Sequence, residues 1–216
     1  MEIVDSVGVA RYKTTGWHEL LTMLDHSIVV EKLKESRVYD VDIPRMPKDV
    51  LLTSTRLFDN GQAQVKVTGF VKGIEYPFLY QERSYMIQIP NIVYRATWQK
   101  RGEGDGKLLS LSLATTTSDE PTEETELYRW PFSNVYSNGK VCWSVQNVQC
   151  RLHEIVDKGV FGFIQTPNNR DLFGTGSSQN SPHRAYEGFL AAIEEAHGVP
   201  QEWLIPFGKT VAEFHQ

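Results

Sequence analysis

The chain has 216 residues, enough to bury a full hydrophobic core and short for two separate ones. With 40% hydrophobic residues, 23% charged residues, a formal net charge of -5 and no Lys/Arg cluster, it reads as a globular protein and not as a dedicated nucleic-acid binder, which carries a basic stripe. No apolar run reaches the roughly 18 residues that span a membrane, and Met1-Glu2-Ile3-Val4-Asp5 lacks the basic start and apolar stretch of a secretory signal.

In chain order, Ile3 to Tyr12 mixes apolar and polar residues as a strand does. Trp17, Leu20, Leu21, Leu24 and Ile28 then recur at helical spacing, with Thr15 as the N-cap, while Val29-Val30 leaves the helix end open. Pro44 and Pro47 break the chain. Residues 1–50 therefore read as an N-terminal extension, strand plus helix, packed on a domain of residues 51–216.

From about 51 to 116 the pattern is that of strands. Gln64-Val65-Lys66-Val67-Thr68 alternates, Tyr85–Ile89 and Asn91–Trp98 flank Pro90, and Leu108–Thr115 alternates after the turn at Gly102–Gly106. Short strands joined by turns predict an antiparallel meander. Ser118 to Glu126, acidic around Pro121, is a solvated loop, with docking of a basic partner as the alternative. Arg151 to Lys158 forms one short helix. Thr166 to Pro182, rich in Gly, Ser, Asn and Pro, is a long loop of the kind that carries function. Ser181-Pro182 then caps and begins a helix with Tyr186, Phe189, Leu190 and Ile193 on one face, ended by Gly198. Periodicity alone predicts an α+β fold.

The segment from Phe132 to Val145 carries the chemistry. Asn138-Gly139 between β-forming runs signals a tight turn, which holds Cys142 at a fixed distance from Asn134. A thiol nucleophile needs a donor for the oxyanion it creates, and an Asn amide serves. The alternative is plainer. Val135, Val141, Trp143 and Val145 would be the core face of a hairpin, Cys142 an ordinary thiol on the other face, and Asn134 a residue that satisfies the loop backbone. Cys150, with no turn motif around it, is expected to be a buried structural thiol. Two cysteines make no disulfide framework, so both are read as free thiols of a reducing cytoplasm. No CxxC pair, HExxH or phosphate-binding loop calls for a metal or nucleotide. Tyr128, Trp130 and Trp143 crowd the motif and read as packing residues, with a stacking platform for substrate as the alternative.

Four histidines follow Cys142. His197 caps the helix beside Gly198, and His215, next to the chain end, is mobile. His183 falls in the first turn of the predicted helix, where the positive helix end favours the neutral imidazole of a base. It is preferred to His153, with a surface histidine as the alternative.

The same segment resembles the active-site stretch of ubiquitin-conjugating enzymes: His-Pro-Asn, a hydrophobic residue, three variable residues, Gly, any residue, Val or Ile, then the catalytic Cys. Asn134, Val135, Gly139, Val141 and Cys142 match without a gap, while Phe132 and Ser133 replace the His-Pro pair. Prokaryotic members lacking that His are known. One, the prokaryotic ubiquitin-conjugating family D, carries a His far downstream, to which the stretch from Leu172-Phe173-Gly174 to Ser181-Pro182-His183 is similar. The resemblance implies a UBC-like fold, an antiparallel meander flanked by helices. It implies that Cys142 accepts a ubiquitin-like protein as a thioester from an activating enzyme and passes it to an amine or hydroxyl. Asn134 would stabilise the oxyanion and His183 serve as base. No external cofactor is implied, because the activating partner uses the ATP. A metalloprotease-type deconjugase in the same bacterial or phage pathway, one of antiphage defence in the cytoplasm, completes the expectation. Two other readings stand beside it. One is a non-catalytic module of the same fold that binds a ubiquitin-like protein, favoured by the missing His-Pro pair as the retained Cys142 favours catalysis. The other is an unrelated α+β structural protein of a phage or plasmid.

Overall fold

The computed structural model describes residues 45–58, 62–101, 106–174 and 176–216, and before them the backbone of five short strands. Of these, β1 (Glu2–Val4) pairs with β2 (Val9–Arg11), and β3 (Met23–Leu24), β4 (Ser27–Lys32) and β5 (Arg37–Asp42) form an antiparallel ladder. Thr15, Trp17, Leu20 and Leu21 lie outside the described residues, as does the packing of residues 1–44 on the core. Leu24 and Ile28 stand in strands, not in the expected helix. The run Ile28-Val29-Val30 is the physical reason, since β-branched side chains lose rotamer freedom in a helix and fit a pleated surface.

Beyond residue 45 the expected α+β meander is present. The strands are β6 (Val50–Leu57), β7 (Gln62–Val71), β8 (Glu75–Tyr80), β9 (Arg83–Gln88), β10 (Asn91–Arg101), β11 (Gly106–Thr116), β12 (Glu126–Arg129), β13 (Gln149–Cys150) and β14 (Pro206–Thr210). The main sheet runs β14-β12-β11-β10-β7-β6, with β13 adding to β11 and β8-β9 forming a separate hairpin. All these pairings are antiparallel. The fold is UBC-like, a mostly antiparallel curled sheet with few helices.

Strand alternation divides the core between the faces. Val65, Val67, Tyr94, Ala96, Trp98, Leu111 and Leu113 join Phe132, Tyr186, Phe189, Leu190 and Ile193 in the larger cluster. Val93, Ala114, Leu127, Val211 and Phe214 form the smaller one. Gly69 lies opposite Tyr94, whose ring covers it; a Cβ there would sit 2.4 Å from the phenol oxygen.

The helices differ from expectation. In place of one short helix over Arg151–Lys158, a tight turn at Leu152–Glu154 runs into π-helical winding over Ile155–Phe161 and then α1 (Gly162–Ile164). Gly159 lets this winding lie close to β11, since a Cβ there would be 3.3 Å from Leu108 Cδ2. The next helix, α2, is Tyr186–Glu195 and begins after Ala185, not at Ser181-Pro182. The Ser181 hydroxyl accepts from His183 N–H and donates to its carbonyl, each at 3.3 Å, a local arrangement that competes with helix. At the other end His197, at φ 53°, takes the left-handed position, and Gly198 N–H closes on Ile193 O at 2.9 Å. The last helix, α3 (Val211–His215), docks Phe214 into the smaller cluster. His215 is not a loose end but contacts the sheet: its Nδ1 lies 2.9 Å from the Thr68 hydroxyl.

Candidate active site

The segment before the cysteine is anchored by its side chains. Phe132 is fully buried among the rings of Phe78, Trp130 and Phe189. Ser133 N–H donates to the Tyr186 hydroxyl at 3.4 Å, a bond that a proline here could not make. The chain then swings through Asn134 at φ 61°, a conformation asparagine tolerates. Asn134 N–H donates to Asp171 O at 2.8 Å, and its carbonyl accepts from Cys142 N–H at 2.7 Å. Val135 pairs with Val141. Tyr136 N–H donates to Lys140 O at 2.9 Å, and Gly139 N–H to Tyr136 O at 2.8 Å. The tight turn is thus Tyr136–Gly139, with Gly139 at φ 86° and Asn138 Oδ1 accepting from Lys140 N–H at 3.0 Å. A turn followed by a residue at positive φ is a standard three-residue hairpin loop.

This hairpin is joined to the sheet. Leu113 N–H donates to Gly139 O at 2.8 Å and Val141 N–H to Leu111 O at 3.1 Å, so its second arm extends along β11. Val135 and Val141 are buried, and Cys142 is exposed. The hairpin therefore has the apolar face of the plainer reading, with the thiol turned outward. Asn134 is only 7% exposed, and among the described residues its side-chain amide has no hydrogen-bond partner. What satisfies the loop is its backbone. Trp143 packs on Phe163, ring centroids 6.1 Å apart. Cys150 is fully buried in β13, and its carbonyl accepts from Trp98 Nε1 at 2.8 Å.

One contact at the thiol involves a residue that motif spacing passed over. The Tyr136 hydroxyl donates to Cys142 Sγ at 3.5 Å. That hydrogen bond, and behind it the charge of the sulfur, hold the phenol above its usual pKa. Register could have found this pair. With Val135 opposite Val141, Tyr136 and Cys142 are diagonal neighbours on the outer face, within reach of an aromatic side chain.

His183 precedes α2 instead of occupying its first turn, so the helix-end argument for a neutral imidazole does not apply to it. Its ring packs edge-on against Trp203, centroids 5.7 Å apart, and no hydrogen bond joins it to Cys142. His153 lines a different cleft, with Arg45, Met46, Lys72 and Asp157. The long loop does reach the hairpin: Asp171 binds Asn134, and Ser177 and Ser178 share a small cavity with Tyr136, Ser137 and Arg129. Among the described residues no cluster of His, Cys, Asp and Glu side chains could hold a metal ion, and no helix is long and apolar enough to cross a membrane.

The family model of prokaryotic E2 family D matches residues 45–158, more than half of the chain. The chain belongs to prokaryotic E2 family D. The matched span contains Asn134, Gly139 and Cys142 and ends before His183. Membership in this E2 family brings a general role in ubiquitin-like conjugation, in company with a ubiquitin-like protein and its activating enzyme. No curated protein and no solved structure matches the chain.

Proposed function

We propose that this E2-family chain is a carrier whose Cys142 accepts the activated C-terminal carboxyl of a ubiquitin-like protein and transfers it to a target amine or hydroxyl. The observation that carries this is the contrast between the two thiols. Cys142 is exposed at the end of a hairpin hydrogen-bonded to the sheet, while Cys150 is sealed in the core. In this reading the Cys142 thiolate attacks the activated carbonyl. Asn134, tied to Cys142 by the 2.7 Å backbone bond, donates its side-chain amide to the oxyanion of the tetrahedral intermediate in this reading. His183 serves as the base or as the orienter of the incoming nucleophile, and its support is indirect: it belongs to the loop that binds Asn134 through Asp171. A second reading, a non-catalytic binding module, draws on Phe132, a packing residue where the general ubiquitin-conjugating enzyme motif has His.

The test is incubation with the activating enzyme, ubiquitin-like protein and ATP of the same pathway. The chain should form a thiol-sensitive adduct. Cys142→Ser should make it thiol-resistant, because an oxyester lacks the labile acyl–sulfur bond. Cys142→Ala should abolish it, and Cys150→Ala should leave it. His183→Ala should slow discharge by about 10²–10⁴-fold. Discharge at the wild-type rate removes His183 from the reading, and an adduct that survives Cys142→Ala moves the site. No adduct on the wild-type chain leaves the binding module.

A further inference from the structure

We propose that Tyr136 is a catalytic residue of the Cys142 thiol, its hydroxyl donating to Sγ both when the thiolate attacks and when it departs from the thioester. This deepens the carrier reading and rests on Cys142 being the reacting thiol.

The geometry supports a built contact. Tyr136 is held by two backbone hydrogen bonds across the hairpin, to Lys140 O at 2.9 Å and from Gly139 N–H at 2.8 Å. Its phenol is 44% exposed, so burial in the core does not determine its place. The O···S separation of 3.5 Å suits a sulfur acceptor, whose radius exceeds that of oxygen. The shift of the phenol agrees in sign, since the neutral O–H makes this bond and the phenolate would lose it. Among the described residues no other side chain donates a hydrogen bond to Sγ.

The step balances without any further reactant. The lone pair of an acceptor amine forms the C–N bond at the thioester carbon. The tetrahedral intermediate then breaks its C–S bond, the electron pair leaves on Sγ, and the surplus amine proton passes to a base or to solvent. Tyr136 keeps its own proton and donates its O–H to the sulfur as negative charge gathers there. In the reverse sense, during loading, the same bond is made to the attacking sulfur.

The signature lies in the reactivity of the sulfur. A hydrogen bond to a charged acceptor stabilises the sulfur anion about tenfold. About half of that factor on a logarithmic scale is felt when the C–S bond breaks, and the same share is lost from the nucleophilicity of the attacking thiolate, about threefold in each case. Alkylation by iodoacetamide, followed at Cys142 by peptide mass spectrometry, reads this on the full chain with no partner protein. Tyr136→Phe should react about threefold faster than wild type on the alkaline plateau, where its thiolate is relieved of the hydrogen bond. Ser137→Ala, on the same loop, should follow wild type. Loaded by exchange with a peptide thioester of 2-mercaptoethanesulfonate, Tyr136→Phe should discharge to free lysine about threefold more slowly. Superimposable alkylation profiles, a uniform slowing at every pH, or equal discharge would overturn the proposal. Failure of the wild-type chain to accept any modifier from an activating enzyme would sink the carrier reading and leave the alkylation result standing.

Discussion

Gly139→Ala probes how the sheet holds the thiol. Gly139 stands at φ 86°, where an L side chain crowds its own backbone at a cost of about 1–2 kcal/mol. The new Cβ would also meet Leu113 O at 3.1 Å, Phe214 Cε2 at 3.2 Å and Phe207 Cζ at 3.3 Å. The carbonyl belongs to the middle of β11 and cannot give way alone, so the hairpin must move and strain the 2.8 Å bond from Leu113 N–H to Gly139 O. Losing most of a backbone hydrogen bond adds about 1 kcal/mol, for about 2–3 kcal/mol in all. Gly208→Ala is the control: φ is 70°, and nothing lies within 4 Å of the added Cβ. It should lose only the conformational part, and the stiffening of the unfolded chain is common to both variants and cancels. Urea unfolding measures each loss. The midpoint of Gly139→Ala should fall by about 1 M and that of Gly208→Ala by about half as much. Cys142 alkylation should change in Gly139→Ala alone. Equal losses in the two variants, or less than about 0.5 kcal/mol for Gly139→Ala, would refute the account of the hairpin as rigidly seated.

Two further predictions concern the sheet. The Tyr94 hydroxyl is buried with no hydrogen-bond partner among the described residues, and burial raises its pKa well above the ordinary phenol value. Tyr94→Phe should therefore be neutral or stabilise by about 1 kcal/mol in urea unfolding, and a loss of that size would show that the hydroxyl is satisfied. His215 has a lowered pKa, through burial first and then repulsion from Lys66 and Arg95. Between that value and the unfolded value near 6.5 the unfolded chain binds more protons, so stability is fully present above pH 6.5 and is lost as pH falls through the folded value. His215→Gln should accordingly lose less stability than wild type between pH 7 and about 5. Parallel pH dependences would disprove the shift.

Residues close in the chain settled much of this molecule before any contact was known. The alternation in Gln64–Thr68, Asn91–Trp98 and Leu108–Thr115 is a property of single strands, and each became part of the meander. Gly139 was recognisable because a turn needs positive φ, and the gap between Asn134 and Cys142 because a hairpin of that length returns the chain beside itself. Other features depend on residues far apart in sequence, about which local pattern is silent. Cys150 is sealed because β13 meets the start of β11 and Trp98 reaches its carbonyl. The run from Ser181 to Ala185 opens with the Ser-Pro start signal of a helix but stays unwound, since the Ser181 hydroxyl satisfies the local backbone. His215 looks like a loose end in sequence, yet β14 beside β12 carries α3 onto β7, where Thr68 receives it. The Tyr136–Cys142 contact needs both kinds of information. Period-two register places the pair on one face, but only the seating of the hairpin on β11, through bonds to Leu111 and Leu113, brings the hydroxyl to the sulfur.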